Sequence, residues 1–257
     1  MTKSDQNTTQ TPAPMSVLGV RIDPMTIEEV VEEAVTWIKS EQRSWHLCSG
    51  VNLHQLMLMD GDPRMNEVVS RSDRVLPDGA SIVFAGALLH RRFMRRSAAI
   101  DVMWKLLDVA SAQNHSVFLL GATKSVLQRA KASLEGKWPG VRIVGALDGY
   151  FPENATVEIL KQIDAARPDI LLVAISSPKR EHFFYDAQNY LDVPFVIGVG
   201  GAFDILAGLT TRAPLAVQII GAEFLWRAAQ EPRRMIPRYY KNFRFAVSLL
   251  KNKAPYR

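Results

Sequence analysis

A single cysteine, Cys48, stands in 257 residues, which excludes an internal disulfide framework and fits a reducing compartment. The five histidines (His46, His54, His90, His115 and His182) show neither H-x-x-x-H spacing nor a metal-type pairing with Cys48, so no metal is expected. No apolar run reaches the ~18 residues that a bilayer-crossing helix needs. Residues 1–15 are polar, rich in Thr, Gln and Pro, and lack an apolar core, so they read as a disordered lead and not as a signal peptide. There is no internal repeat.

What is present is enough apolar material, 47% of the chain, for one large domain with an appendage. Charge is unevenly placed. Residues 227–257 hold nine of the 31 basic residues and one of the 26 acidic ones, a tail of +8, leaving 22 basic against 25 acidic residues before it. That segment calls for an anionic partner: membrane, diphosphate or nucleic acid.

In chain order, Val17 to Asp23 alternates as a strand, and Thr26-Ile27-Glu28-Glu29 supplies a capping box for a helix to about Lys39. Strands are expected at Trp45–Ser49, Arg74–Leu76, Val117–Leu120, Val141–Val144, Asp169–Ile175 and from Val196, with helices between them. A loop is expected over Gly145–Phe151, and helix from Glu153 to Ala166. This alternation predicts an α/β fold, a mostly parallel sheet with helices on both faces (Rossmann-like), followed by a basic helical appendage. The expected divisions are a lead over 1–15, a core over 16–212 and the appendage over 213–257.

On such a sheet, ligands meet the carboxyl ends of the strands. Asn52, Asp78, Gly121, Ser177 and Gly201 all fall there. The run Val196-Ile197-Gly198-Val199-Gly200-Gly201-Ala202-Phe203-Asp204 ends an apolar strand in bare backbone, suited either to an anionic ligand or to a tight turn. It is no dinucleotide fingerprint, because Phe203 replaces the last glycine of G-x-G-x-x-G. Asp78, between Pro77 and Gly79, is placed to be a helix cap or a general base. Asp60 and Asp62 form a D-x-D, but Asp-Gly-Asp-Pro is ordinary turn chemistry. The arginines of His90–Arg96 are open to two readings, a solvated loop or a diphosphate clamp. In the tail, Trp226, Tyr239, Tyr240, Phe243 and Phe245 interleave with cations, the pattern of an interfacial anchor or of a helix docked on the core. No stacking platform accompanies the charge, so nucleic acid is not expected.

Together the ordered stretches Asn52-Leu53, Pro77-Asp78-Gly79, Arg96 with Ile100-Asp101, Phe118–Gly121, Gly149-Tyr150-Phe151, Ser177-Pro178-Lys179 with Glu181, Gly198–Gly201 with Phe203-Asp204, Ala207-Gly208, Arg212-Ala213-Pro214 and Gln230–Arg234 resemble the WecG/TagA/CpsF family of bacterial glycosyltransferases. The resemblance runs from about Val17 to Arg244. It implies a peripheral enzyme at the cytoplasmic face of the inner membrane, moving a sugar from a UDP-sugar to a polyprenyl-diphosphate-linked saccharide with inversion and no cofactor. Its catalytic aspartate, asparagine and arginine map onto Asp78, Asn52 and Arg96. Substrate or nucleotide contacts are expected at Gly121, Tyr150, Ser177, Arg180, Glu181, Gly200, Gly201 and Asp204. Arg233, Arg234 and Arg238 would meet diphosphate or membrane, with residues 223–257 on the membrane surface; a homo-oligomer is compatible with the resemblance.

Three positions depart from the family pattern: Gly50 for Thr, Ala99 for Gly, and Arg180 for Gln. An extra cation at Arg180 would suit an acidic donor or a more anionic acceptor. These changes also motivate an alternative, a catalytically silent nucleotide-binding scaffold at the membrane. A nicotinamide-dependent oxidoreductase is disfavoured by the missing fingerprint.

Overall fold

The computed structural model describes residues 13–91 and 93–251, with backbone alone for 249–251. Most of the expected lead, Arg92 of the basic loop and the last six residues lie outside the described residues. The expected strand at Val17–Asp23 is instead a hairpin, β1 (Met15–Val17) against β2 (Val20–Ile22), antiparallel. Leu18 and Gly19 both take positive φ, 51° and 81°, the backbone of a tight two-residue turn whose twist matches the strands. Helix α1 (Ile27–Ile38) follows with the capping box predicted for Thr26 and Glu29.

The core alternates regularly: β3 (Leu47–Val51), α2 (Leu53–Met59), α3 (Pro63–Arg71), β4 (Arg74–Pro77), α4 (Ala80–His90), α5 (Ala99–Gln113), β5 (Ser116–Gly121), α6 (Lys124–Lys137), β6 (Arg142–Leu147), α7 (Thr156–Ala166), β7 (Ile170–Ala174), α8 (Lys179–Ala187), β8 (Phe195–Gly198) and α9 (Ala202–Leu206). Six strands form one parallel sheet in the order β4-β3-β8-β7-β5-β6. This is the architecture that the βα alternation predicts. The β6 strand runs through Gly145, which the sequence places in a loop. A Cβ there would fall 2.2 Å from the Phe118 ring, so the glycine serves close approach within the sheet and does not end the strand. A 3-10 turn at Glu153–Ala155 precedes α7, where an unbroken helix is expected.

Helices α1, α5, α6 and α9 bury one face of the sheet, around Leu106, Leu119 and Phe203. Residues of α3, α7 and α8 bury the other, around Leu120, Ile163 and Phe184. Neighbouring strands β3 and β8 therefore send their chains to opposite faces, which opens a crevice at their carboxyl ends.

After Pro214 the chain is helical, but in three pieces: α10 (Leu215–Ile219), α11 (Glu223–Gln230) and α12 (Pro232–Lys251). Gly221, at φ 72°, and Pro232 make the breaks. Helix α12 lies along α2, where His54 Nδ1 and Asn242 Oδ1 are 3.0 Å apart, and Phe245 joins the cluster under the hairpin.

Candidate active site

Parallel pairing sets Val51 beside Pro77, so Asn52 and Asp78 leave adjacent strands together. The Asp78 amide donates to Val51 O at 3.0 Å. A Cβ on Gly79 would overlap Asn52 Cβ at 2.6 Å, so only glycine lets the two loops approach this closely. Asn52 caps α2 with its carbonyl oxygen, accepting from His54 N at 2.9 Å, which leaves its amide NH2 for a ligand. Asp78 Oδ1 accepts from Ala99 N at 2.9 Å, at the start of α5. Asp78 is not the cap of the helix that follows it, since Gly79 holds the N-cap position of α4 without a side-chain bond; it instead fixes the start of α5 through one carboxylate oxygen, and the other makes no hydrogen bond among the described residues. Gly50 and Ala99 prove to be neighbours. A Cβ at position 50 would meet Asp78 Cβ at 3.1 Å and Ala99 Cβ at 3.5 Å, so the bare residue at 50 makes room beside the methyl at 99.

Arg96 is engaged by the protein itself. Its Nε donates to Asp78 O at 2.9 Å and its Nη2 to Glu223 Oε2 at 2.5 Å. Burial alone would lower the Arg96 pKa, but the bond and charge of Glu223, with Asp78 and Asp101 behind, raise it. Arg212 forks onto Asp101 and lies 3.7 Å from Glu223. Glu223 of α11 is therefore the centre of a charge network that ties the C-terminal helices to the Asp78 loop.

Beyond β8, Gly200 has φ 54° and open space where a Cβ would be. Gly201 is covered: Arg227 Nη2 sits where its Cβ would fall, within 2.0 Å, and Asp204 Oδ2 is 3.5 Å away. Burial lowers the Arg238 pKa most; Tyr239 opposes this, while Arg227, Arg234 and Arg180 add repulsion. Among the described residues no carboxylate forms an ion pair with Arg238, and Arg227 and Arg234 share one, Glu231, at 3.6 and 3.0 Å, so three mutually repelling cations have a single carboxylate between them, with Arg227 against the glycine turn. Asp204 lies in the same field. Burial raises its pKa, Arg234 and Arg227 oppose this and Glu231 assists. Arg233 and Arg234 are both exposed, but only Arg234 acts electrostatically on Asp204 and Arg238; Arg233, predicted with them, lies outside this cluster.

Arg180 is not a free cation. It is buried, forks onto Glu181 Oε1 at 3.0 and 2.5 Å, and occupies the space beside Gly198 that a Cβ would need. Ser177 Oγ donates to the same Glu181 oxygen at 2.9 Å. Ser49, Gln55, Arg180 and Glu181 line a void of about 10 Å³, too small for a sugar. The acidic-donor rationale for Arg180 thus loses its physical basis, because Glu181 already balances the charge.

Gly121, at φ 137°, has its Cβ position filled by the Ala174 backbone at 2.5 Å, so its bareness serves strand contact. Gly149 crosses over it, and Tyr150 stands 76% exposed at the tip of that loop, free to meet a base. Lys179 holds the loop: its Nζ donates to Gly149 O at 3.0 Å and Phe151 O at 2.5 Å, and lies 4.0 Å from the Phe151 ring centroid. Sequence reasoning assigned no site role to Lys179, Arg227 or Glu223. Only the Ser-Pro-Lys context marks Lys179; the other two belong to an undifferentiated charged tail.

Asp62 caps α3 and pairs with His182 at 2.7 Å, as turn chemistry suggests. Among the described residues no three His, Cys, Asp or Glu side chains converge as metal ligands. Cys48 is fully buried, and burial pushes its thiol far up, away from nucleophilic use. A larger cleft, about 410 Å³, is walled by Phe151, Lys179, His182 and Asp186 and includes neither Asp78 nor the arginine cluster. Asp78 and Gly198 stand two strands apart, about 10 Å, a span suited to a sugar with its diphosphate.

The family model described as "Glycosyl transferase WecG/TagA/CpsF family" matches residues 15–257. An N-acetylglucosaminyldiphosphoundecaprenol N-acetyl-beta-D-mannosaminyltransferase of Bacillus subtilis (strain 168) is 34% identical over 178 residues, 67% of this chain and 69% of that protein. The protein of the same name from Bacillus spizizenii is 32% identical over 183 residues, 69% of this chain and 70% of its own length.

Proposed function

The chain belongs to the WecG/TagA/CpsF family of glycosyltransferases and is a hexosyltransferase, and from that premise we propose that it moves N-acetylmannosamine from a UDP-sugar to N-acetylglucosamine on a polyprenyl diphosphate. Asp78 is the base. As the acceptor oxygen attacks the anomeric carbon, its proton passes to the free Asp78 oxygen, the carbon–oxygen bond to the β-phosphate breaks, and UDP leaves with the electron pair. Attack from the face opposite UDP inverts the centre, and the β-linkage in the relatives' names is what inversion of an α-linked nucleotide sugar yields.

The observation that carries this reading is the arginine cluster, of which Arg227 lies directly over the glycine turn. Arg227, Arg234 and Arg238, with the Gly200 amide, supply cations and N–H donors where charge builds on the leaving diphosphate, without calling on a metal. Tyr150 stacks on uracil and Asp204 accepts from ribose hydroxyls; Asn52 donates to the sugar or acceptor. Arg96 acts on Asp78 through its main-chain carbonyl. Helices α10–α12 lie on the inner membrane's cytoplasmic face as a peripheral anchor. In support, no helix among the described residues is long and apolar enough to cross a membrane, while the segment is basic and aromatic.

Calorimetric titration with UDP, UDP-N-acetylmannosamine, UDP-N-acetylglucosamine, UDP-glucose and UDP-glucuronate, each with and without EDTA, tests the donor site. Preferential binding of UDP-N-acetylmannosamine that persists in EDTA and weakens at least tenfold in Arg238→Ala is expected. Loss of all binding in EDTA, or a preference for UDP-glucuronate, contradicts the reading.

A further inference from the structure

Exposed apolar side chains are concentrated in two places. Of seventeen large hydrophobic residues exposed among the described residues, four lie between Phe84 and Phe93 and eight between Leu215 and Phe243. The first group has no role in the proposed chemistry. Helix α4 anchors its inner face with Ile82, in the cluster under the hairpin, and with Gly86, whose Cβ position is taken by Met94. Its outer face presents Phe84 and Leu88, one turn apart and 72% and 68% exposed, beside Leu89; Phe93 follows at 78%. A soluble surface does not ordinarily gather such residues, and a patch of this kind marks a contact with something apolar.

The charge says what that contact is. Residues 79–100 contain four arginines and no acid. Arg91 and Arg95 are exposed beside the apolar face, an arrangement that complements anionic headgroups over an acyl layer. The excursion is also continuous with the C-terminal helices. A Cβ on Gly221, at the α10–α11 turn, would fall 2.8 Å from Ala80 Cβ, and Phe245 of α12 packs on the same cluster as Ile82. Both ends of the excursion are fastened at the candidate base. Asp78 directly precedes it; on return, Arg96 Nε donates to Asp78 O and Ser97 N to Pro77 O at 3.1 Å.

We propose that α4 and the loop after it are a second membrane-insertion element, with Phe84, Leu88 and Phe93 entering the headgroup boundary of an anionic bilayer and Arg91 and Arg95 meeting lipid phosphates. This rests on the membrane-bound transferase reading and adds an element outside the C-terminal segment. Because the excursion begins and ends at Asp78, its insertion turns the Asp78 edge toward the bilayer, where a lipid-linked acceptor presents its hydroxyl. The α4 element thereby orients the site on the surface, and the C-terminal helices supply the cations for the donor.

The test uses the full chain with vesicles of phosphatidylglycerol and phosphatidylcholine, and with phosphatidylcholine alone. The triple variant Phe84→Ser/Leu88→Ser/Phe93→Ser is expected to lower partition onto the anionic vesicles at least tenfold. Its UDP affinity and its transfer to a short-chain, water-soluble acceptor should stay within twofold of the parent. Leu88→Cys, labelled with an environment-sensitive fluorophore while Cys48 remains buried, keeps the idea testable should the triple variant fold poorly; its emission should shift to the blue on anionic vesicles. Undiminished partition of a folded triple variant, or no shift of the label on vesicles that bind the protein, overturns the proposal. So does a parent dimer in sedimentation that the triple variant loses while vesicle binding is unchanged, since the face would then be a self-contact. Absence of any UDP-sugar turnover in the parent would instead defeat the transferase reading, whatever the vesicles show.

Discussion

Lys179 is the residue whose replacement separates donor binding from chemistry most cleanly. Its ammonium bridges the carbonyls of Gly149 and Phe151 on either side of exposed Tyr150. A bond from a charged donor contributes about 1.5–3 kcal/mol when shielded, and partial exposure reduces each here to about 1 kcal/mol. Two such bonds, with the ring contact, give about 2 kcal/mol. Lys179→Met keeps the stem and removes the ammonium. The loop retains Gly149 N donating to Ala122 O at 2.9 Å and Tyr150 N to Asp148 Oδ1 at 3.1 Å, so it loosens without being lost. At about 1.4 kcal/mol per tenfold, KM for the UDP-sugar should rise about 10- to 30-fold. Since the loop does not touch Asp78, kcat should hold within about threefold. Initial rates against donor concentration, at saturating acceptor, read both constants. Lys179→Arg should recover part of the KM. An unchanged KM, or a fall confined to kcat, refutes the positioning role.

Arg238→Ala should weaken UDP binding by about 2 kcal/mol, about 30-fold, because it removes a cation with no carboxylate partner among the described residues; titration calorimetry checks this. Glu223→Ala should loosen α11 and lower kcat with little change in donor affinity, since Arg96 and Arg212 lose their shared partner; hydrogen exchange of residues 223–230 and steady-state rates report it. Burial, with Arg238 and Lys241, holds His54 below its ordinary value despite Asn242 and Glu181. The unfolded chain therefore takes up the proton first, so the stability given by neutral His54 is present above about pH 6.5 and is lost on acidification. Protection factors of α12, exchange rates corrected for the intrinsic pH dependence of the amides, should fall between pH 7.5 and 5.5, and His54→Gln should flatten that fall; an equal fall in the variant would place the effect elsewhere. His115 is shifted the same way by burial, so global melting would not isolate His54.

Much of the fold could be read locally. Apolar strands alternating with amphipathic helices specify the parallel sheet, and the capping residues Thr26 and Asn52 do what their side chains allow. The failures came where a local pattern had a non-local cause. Gly145 looks like a loop residue until the Phe118 ring is set beneath it. Leu18 carries no turn signature, yet its positive φ divides an alternating strand into a hairpin.

The site followed the same rule. Strand ends located Asp78, Asn52 and the glycine turn, because parallel topology brings those ends together whatever the details. Which arginines gather at the turn depended on helix breaks at Gly221 and Pro232 that lay Arg227 against Gly201 and half-bury Arg238, while Arg233 and Arg234 stay exposed. Arg180 illustrates the converse: one-dimensional charge counting makes it a ligand for acids, whereas the fold gives it Glu181, the next residue in the chain.

The most direct test is transfer itself. Wild type and Asp78→Asn are assayed by mass spectrometry with UDP-N-acetylmannosamine and N-acetylglucosaminyl-diphosphate on a short polyprenol, in EDTA. A β-linked disaccharide-diphosphate lipid is expected from the wild type, and a rate at least about a hundredfold lower from Asp78→Asn at undiminished UDP affinity. Equal rates from the two proteins, or an α-linked product, would contradict the proposed mechanism.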